Sequence, residues 1–137
     1  LIDSVIAIMD GLLLDRNLNF EVHRNGPSML YVMTDSTRIR EILTNLLNNA
    51  VKFTADGGTI TFEMSTRPGV DERHIVTSYT VKDTGVGMSE EFEKKLFEPF
   101  SQEDNGARTQ YKGTGLGMAI TKQYVELMGG AITFQSK

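Results

Sequence analysis

The sequence predicts an α+β fold, a two-layer α/β sandwich in which a mixed, mainly antiparallel sheet carries about three helices on one face. Two observations lead to this prediction. Segments with helical periodicity are separated by pairs of short alternating segments, and short polar loops join the two members of each pair. Strands joined by short loops pair antiparallel, whereas a doubly wound parallel sheet would need stricter alternation of strand and helix.

Length and composition indicate a single domain over residues 1–137 and exclude several classes of function. The net charge is −4 and the 14 Lys and Arg residues are scattered, so nucleic acid is not expected as a partner. The absence of cysteine excludes disulfides, thiolate metal sites and a cysteine nucleophile. The apolar run Leu1–Leu14 contains Asp3 and Asp10, so it predicts neither a signal peptide nor a membrane span. We expect a cytoplasmic domain without direct membrane contact, although the full-length protein can still be anchored elsewhere.

The first half of the chain predicts two helices with two strands between them. Apolar residues on one helical face predict an amphipathic helix over Leu1–Leu14. Alternation predicts a strand over Leu18–Arg24, and a second extended run, Met29–Met33, follows the turn residues Asn25-Gly26-Pro27. The most regular helical pattern in the chain runs from Thr37 to about Phe53.

The second half predicts three more strands and two more helices. In order, these are a hairpin of strands over Thr59–Ser65 and Ile75–Lys82, a helix over Ser89–Leu96, a helix over Thr114–Met128 and a strand over Ala131–Gln135. Between the two helices, Ser101–Lys112 has Tyr111 as its one sizeable apolar side chain. A polar segment of that length inside a compact domain is typical of a functional loop or a disordered insert.

A polar stripe lies beside the apolar face of the second predicted helix. At about 100° per residue, the stripe contains Arg38, Glu41, Asn45, Asn49 and Lys52. Amide oxygens one turn apart, with an ammonium close by, are suited to a hard cation and to the phosphates that it bridges. A solvated helix surface is the alternative interpretation. Three asparagines within five positions disfavour it, because Asn is a mediocre helix former.

The first of two glycine-rich stretches, Asp83-Thr84-Gly85-Val86-Gly87, follows a predicted strand. Alternation places the Asp83 carboxylate on the same sheet face as the larger apolar residues, and therefore towards the helices. A buried carboxylate must find a hydrogen-bond donor. The exocyclic amine of adenine would serve, and a core hydroxyl or a backbone N–H is the structural alternative.

Asp83-Thr84-Gly85 is also the active-site triplet of aspartic proteases. That interpretation needs an all-β fold in which each Asp is paired across a dimer axis. The predicted helices disfavour it, and it would leave the asparagine stripe without a role.

The second glycine-rich stretch, Gly113-Thr114-Gly115-Leu116-Gly117, lies between the polar loop and a helix. Backbone N–H groups at the start of a helix form an anion site, so this stretch predicts phosphate binding, with a flexible hinge as the alternative. A Walker A loop is disfavoured because no Gly-Lys-Ser/Thr occurs. The Rossmann fingerprint is disfavoured because these glycines do not leave a strand directly.

Four motifs together resemble the conserved boxes of sensor histidine kinases. Thr34–Thr54, with its stretch Asn45–Thr54, resembles the N box, Asp83–Gly87 the G1 box, Leu96–Phe100 the F box and Gly113–Ala119 the G2 box. They occur in the order and spacing of that family and cover nearly the whole chain. The resemblance implies the catalytic ATP-binding domain of a two-component sensor histidine kinase, within the GHKL superfamily.

The resemblance also implies ATP and Mg²⁺ as cofactors. Asn45 and Asn49 would bind the metal ion, and Lys52 would lie beside the phosphates, so these three are the expected catalytic residues. The expected purine contacts are Asp83 for the adenine amine, Gly85 and Gly87 for the close approach of the ring, and Phe53 as a wall of the pocket.

At the triphosphate, the resemblance implies a lid over Ser101–Lys112 and backbone contacts from Gly113, Thr114, Gly115, Leu116 and Gly117. Some histidine kinases have an arginine just after the F box as a γ-phosphate contact, where this chain has Gln102. Arg108 or Lys112 is the expected substitute.

The resemblance indicates transfer rather than hydrolysis. The ATPase branch of the superfamily carries a general-base Glu one turn before its metal-binding Asn, where this chain has Asn45, so water activation is disfavoured. The family's acceptor is a His followed by an acidic residue, whereas His23 and His74 are followed by Arg24 and Ile75. The acceptor is therefore expected on a separate domain.

The hypothesis is that the domain donates the γ-phosphate of ATP to a histidine of its own dimerisation domain, and that the full-length kinase serves a response regulator. A nucleotide-sensing interaction module and a hydrolysing GHKL ATPase are the alternatives. Because the chain stops at Lys137, before the closing strands that the resemblance implies, an unprotected sheet edge is also expected.

Overall fold

The computed structural model describes residues 1–27, 31–99 and 117–136. Its elements, in chain order, are helix α1 (Ile2–Leu12), strand β1 (Asn19–Asn25), helix α2 (Ser36–Phe53), strands β2 (Thr59–Pro68) and β3 (Ile75–Asp83), the short helix α3 (Glu90–Glu93) and helix α4 (Gly117–Leu127). The predicted α+β class is confirmed, with a mixed sheet and helices packed against it.

The described strands form one sheet in the order β1-β2-β3. The predicted hairpin is confirmed, because β2 and β3 pair antiparallel from Ile60 opposite Asp83 to Pro68 opposite Ile75. In contrast, β1 runs parallel to β2, with Asn19 opposite Thr59. Helix α2 connects these two strands and supplies the long crossover that a parallel pair requires.

Two of the predicted strands do not form within the described residues. Tyr31–Met33, the described part of the second early run, form no strand and are exposed, while Met29 and Leu30 lie outside the described residues. Ala131–Gln135 form no strand either. These predictions are wrong because an alternating apolar pattern favours an extended backbone but does not supply the partner strand that a sheet requires.

The core lies between α1, α2 and one face of the sheet. Ile60 and Phe62 lie two positions apart on β2, so both point to this face. They pack with buried residues of the two helices, namely Val5, Met9, Leu43, Leu47, Ala50 and Val51. Phe62 also stacks on Tyr79 of β3, with ring centroids 6.3 Å apart. The helical periodicity of α2 therefore matches the face that it buries.

Helix α2 begins where a side-chain cap satisfies its first turn. The Asp35 carboxylate accepts a hydrogen bond from the Arg38 N–H at 3.1 Å, which pairs one of the donors left free at a helix start. None of the described helices combines the length and the apolar character needed to cross a bilayer.

Candidate functional site

The polar stripe of α2 faces helix α4. Asn45 Nδ2 donates a hydrogen bond to Thr121 Oγ1 at 3.3 Å. Nearer the start of α2, the Arg38 guanidinium lies over the Tyr124 ring, 5.4 Å from its centroid. Later residues of α2 thus meet earlier residues of α4, so the two helices run antiparallel along this contact. The stripe is therefore an interhelical surface over its first half.

The N-terminus of α4 lies towards the later part of the stripe. This follows from the antiparallel contact, because Asn49 and Lys52 come after Asn45 on α2, and Gly117 precedes Thr121 on α4. A helix N-terminus carries free N–H groups and the positive end of the helix dipole. Asn49 is half-buried and Lys52 is exposed, and the side chain of neither forms a hydrogen bond or ion pair with another described residue.

The amide of Asn45 is oriented by its contact with Thr121. Thr121 is fully buried and Asn45 is half-buried. The Nδ2 group of Asn45 donates to Thr121. Its Oδ1 atom therefore remains available to accept a hydrogen bond from a ligand or to coordinate a cation. Among the described residues there is no group of three or more His, Asp and Glu side chains that would hold a metal ion. The amide oxygens of Asn45 and Asn49 are therefore the candidate protein ligands for a metal ion at this stripe.

The turn after β3 packs directly against the C-terminal end of α2. The Val86 N–H donates to the Phe53 carbonyl at 3.2 Å. A Cβ atom built on Gly85 would clash with that same carbonyl oxygen and would lie 2.7 Å from Asp83 Oδ1. Gly87 has a φ of +71°, in the left-handed region that favours glycine. Both glycines are therefore required by the packing of the turn, independently of any ligand.

Asp83 lies directly opposite the buried Ile60 of β2, so its predicted place on the sheet face of the larger apolar residues is confirmed, although its side chain is exposed at the end of the strand. Asp83 is the last residue of β3, and Tyr79 and Val81 before it contact the core, but no described element covers Asp83 itself. Its Oδ1 accepts from the Gly85 N–H at 2.8 Å, which is the backbone alternative considered from the sequence. The second oxygen, Oδ2, has no hydrogen bond to another described residue.

Three residues that were not among the predicted site residues contribute to this region. The first is Thr121, described above. The second is Thr54, whose side chain is 2% exposed and whose hydroxyl has no hydrogen-bond partner among the described residues. Such a buried hydroxyl is normally paired with protein or ordered water. The third is Arg16, whose guanidinium donates hydrogen bonds to the Val51 and Thr54 carbonyls at the end of α2, 35 and 38 residues further along the chain. No local sequence pattern indicates a bond of that kind.

The predicted triphosphate contacts other than Gly117 lie outside the described residues. These are the lid, Ser101–Lys112, with Arg108 and Lys112, and the residues Gly113, Thr114, Gly115 and Leu116. Gly117 is described as the first residue of α4. The described part of the candidate site therefore consists of the α2 stripe, the start of α4 and the turn after β3.

Comparison with known proteins defines the class to which this fold and site belong. A family model described as histidine kinase-, DNA gyrase B-, and HSP90-like ATPase matches residues 34–137. This range is well over half of the chain and includes the α2 stripe and the turn after β3. The chain belongs to this ATPase family.

Within that family, the relatives are histidine kinases, so the resemblance to their ATP-binding catalytic domain is confirmed. Histidine protein kinase 1 of Candida albicans is 38% identical over 136 residues, which is 99% of this chain and 5% of the relative. The circadian input-output histidine kinase CikA of Synechococcus elongatus is 46% identical over 125 residues, which is 91% of this chain and 15% of the relative. The chain thus spans a small part of the length of the relatives that it matches.

Solved structures support the same class. The catalytic domain of histidine kinase ThkA, in a nucleotide-free form, is 27% identical with a TM-score of 0.70, over 91% of this chain and 75% of that chain. Full-length ShkA, solved in complex with AMPPNP, is 26% identical with a TM-score of 0.70, over 98% of this chain and 27% of that chain.

Proposed function

We propose that this domain binds Mg·ATP and donates the γ-phosphate to a histidine on a separate dimerisation domain, as the catalytic part of a two-component sensor kinase. The observation that carries the proposal is the position of α2. Its stripe leads towards the N-terminus of α4, and its last residue packs on the turn after β3. One rigid helix thus connects a surface suited to phosphate and metal with a surface suited to a purine.

At the phosphate end, Asn45 and Asn49 would hold Mg²⁺ through their amide oxygens. Mg²⁺ in proteins is commonly held by one or two side chains together with the phosphates of its nucleotide. The donor set fits this role, because the Thr121 contact leaves Asn45 Oδ1 as the free atom of its amide. When bound, the ion would neutralise charge on the phosphates. The Lys52 ammonium is exposed and free of ion pairs to other described residues, so it would add a second positive charge.

At the purine end, Asp83 Oδ2 would accept from the adenine amine. Oδ1 is held by the Gly85 N–H at 2.8 Å, so the carboxylate has a fixed orientation although it is exposed. Phe53 would form one wall of the base pocket, since its carbonyl already anchors this turn. The buried Thr54 side chain, whose hydroxyl has no hydrogen-bond partner in the described part of the chain, lies beside the same turn, because a Cβ on Gly58 would contact both the Thr54 methyl group and Thr84 Oγ1.

The proposed chemistry is phosphoryl transfer by positioning and charge neutralisation. Asn45 lies where a hydrolysing relative would need a general-base carboxylate, and an amide cannot take a proton from water. Arg108 and Lys112 remain the predicted contacts to the γ-phosphate. The domain alone is therefore expected to bind nucleotide with very little turnover. A histidine on the dimerisation domain and then a response regulator are the proposed partners of the full-length kinase.

The test has two parts. Calorimetric titration of the domain with ATP, with and without Mg²⁺, is expected to show binding that the metal strengthens. Incubation of the full-length protein with γ-labelled ATP is expected to give an acid-labile, base-stable phosphoprotein. Binding without any phosphoprotein would instead support the nucleotide-sensing module. Release of phosphate by the isolated domain would support the hydrolysing ATPase.

A further inference from the structure

We infer that Arg16 is a positioning residue of the proposed nucleotide site, because it fixes the last turn of α2 against the turn after β3. The expected effect of Arg16 on ATP binding rests on the proposed function. The contacts by which Arg16 holds the end of α2 do not depend on any ligand.

Arg16 forms three hydrogen bonds at the end of α2. Nη1 donates to the Val51 carbonyl at 3.0 Å, Nη2 donates to the Thr54 carbonyl, and Nε donates to Asp56 Oδ1 at 2.7 Å. The side chain is only 24% exposed. A planar guanidinium can make these three bonds at once in one fixed orientation, which a lysine ammonium cannot.

The bonds are placed where a helix end needs them. The last carbonyls of a helix have no intrahelical donor, and they carry the negative end of the helix dipole. α2 ends at Phe53 and is capped by Thr54, so Arg16 supplies both donors and positive charge to its last turn. The Asp56 carboxylate accepts the third hydrogen bond of Arg16, and this bond lowers the pKa of the Asp56 carboxyl below its ordinary value.

The turn that Arg16 holds is the one that contacts the proposed purine site. Lys52 and Phe53 lie between the two carbonyls that Arg16 binds. On the other side of the chain, the Phe53 carbonyl accepts from the Val86 N–H at 3.2 Å. The last turn of α2 is thus held between Arg16 and the turn after β3. Loss of Arg16 would remove one of the two contacts that hold this last turn, and so would loosen the position of Phe53 and Lys52 relative to Asp83.

The residues next to Arg16 bind the loop that follows α2. The Gly57 N–H donates to the Asn17 carbonyl at 2.6 Å, and the Asn19 N–H donates to the Gly58 carbonyl at 3.0 Å. These backbone bonds keep the Arg16 segment beside the loop, so a shorter side chain at position 16 is expected to remove the clamp without displacing the segment. A substitution of Arg16 is therefore expected to remove the hydrogen bonds to the last turn of α2 and to leave the backbone of the Arg16 segment in place.

Arg16→Gln is the main test, and Arg24→Gln is its matched control. Arg24 also donates to a carboxylate at 2.7 Å, that of Asp3, but these two side chains are more exposed than Arg16 and Asp56, and in the described part of the chain neither forms a hydrogen bond to α2. Arg16→Lys is the second variant, since it keeps the charge and the stem but loses the fork geometry. Each protein is compared at a temperature well below its thermal midpoint, so that only folded protein is measured.

Two quantities decide the test. The first is the hydrogen exchange of the Val86 amide, which reports its bond to Phe53 without any nucleotide. The second is ATP affinity together with its ratio to GTP affinity. Arg16→Gln is expected to speed Val86 exchange, to weaken ATP binding about tenfold, which corresponds to about 1.4 kcal/mol, and to lower the ATP preference. Arg16→Lys is expected to show smaller changes in the same direction, and Arg24→Gln none.

A merely structural role of Arg16 would lower the thermal midpoint and leave Val86 exchange and nucleotide preference as in the wild type. That result would overturn the inference. If the wild-type protein fails to bind ATP, the proposed function fails, and Val86 exchange in the two Arg16 variants still decides whether Arg16 holds this turn.

Discussion

The amide of Asn45 on α2 donates a hydrogen bond to the fully buried hydroxyl of Thr121 on α4 at 3.3 Å. This bond connects the two helices that bear the proposed phosphate site, and it selects which atom of the Asn45 amide remains for a metal ion. A residue outside the four motifs thus orients a residue within them.

The Thr121 hydroxyl can be tested by an isosteric change. Thr121→Val removes the acceptor and keeps the shape, so the Asn45 amide loses its orienting bond. We expect a loss of about 1 kcal/mol in the free energy of unfolding and a weaker effect of Mg²⁺ on ATP binding. Urea unfolding and calorimetry measure the two effects. Thr121→Ser keeps the hydroxyl and serves as the control, and an unchanged Mg²⁺ effect in the valine variant would contradict the proposed orientation of Asn45.

The proposed metal-binding role of Asn49 predicts a specific loss of Mg²⁺ dependence. Asn49→Ala removes one of the two proposed amide ligands, so ATP affinity is expected to become nearly the same with and without Mg²⁺. The neighbouring Asn48 lies off the stripe, about 100° around the helix, and Asn48→Ala is the matched control. Equal dependence on Mg²⁺ in the two variants, measured by calorimetry, would count against Asn49 as a ligand.

The elements with a strong local signal were predicted from the sequence. Helix α2 follows from its apolar period, and its buried residues Leu43, Leu47 and Ala50 are those that the period indicates. The β2–β3 hairpin follows from two alternating segments joined by a short loop. In both cases the pattern concerns residues that are close in the chain.

The features that depend on distant partners were not predicted. Tyr31–Met33 and Ala131–Gln135 lack a partner strand, and β1 pairs parallel with β2 because α2 intervenes. Asp83 is exposed because nothing described covers the end of β3. Arg16 donates to backbone carbonyls, which every residue has, so the side chains of its partners do not reveal these bonds in the sequence. The predicted roles of the site residues stay predictions, and those of the lid lie outside the described residues.

Gly85 is expected to be intolerant of even a methyl group. A Cβ there would clash with the Phe53 carbonyl oxygen and lie 2.7 Å from Asp83 Oδ1, so Gly85→Ala must displace the turn from α2. We expect a lower free energy of unfolding and faster exchange of the Val86 amide. Gly11→Ala is the control, since nothing lies within 4 Å of a Cβ at that exposed helical position. It is expected to stabilise α1, by up to about 1 kcal/mol. Equal stability changes in the two variants would contradict the packing described for Gly85.

The proposed base-recognition role of Asp83 is best tested with Asp83→Asn. The amide can keep an oxygen for the Gly85 N–H, so the turn is expected to stay folded. The group that replaces Oδ2 is then an NH₂ donor, which would face the adenine amine, itself a donor. ATP affinity is therefore expected to fall, and the preference for ATP over GTP with it. Asp71→Asn, at an exposed carboxylate in the β2–β3 loop, is the control for loss of charge. Retained preference in Asp83→Asn would exclude Asp83 as the base-reading residue.

The ion pair between Arg16 and Asp56 predicts a pH dependence with a defined sign. The hydrogen bond from Arg16 lowers the pKa of Asp56 in the folded protein below its ordinary value of 3.8. The stabilisation is therefore fully present above that ordinary value and is lost as the pH falls towards the folded-state pKa. Asp56→Asn is expected to lower the free energy of unfolding at pH 7. The effect of the substitution is expected to be smaller at acidic pH, where Asp56 becomes protonated in the wild-type protein. Urea unfolding across this pH range measures the difference between the two proteins. A difference that stays constant from neutral to acidic pH would show that the Asp56 charge does not contribute to holding Arg16 at the end of α2.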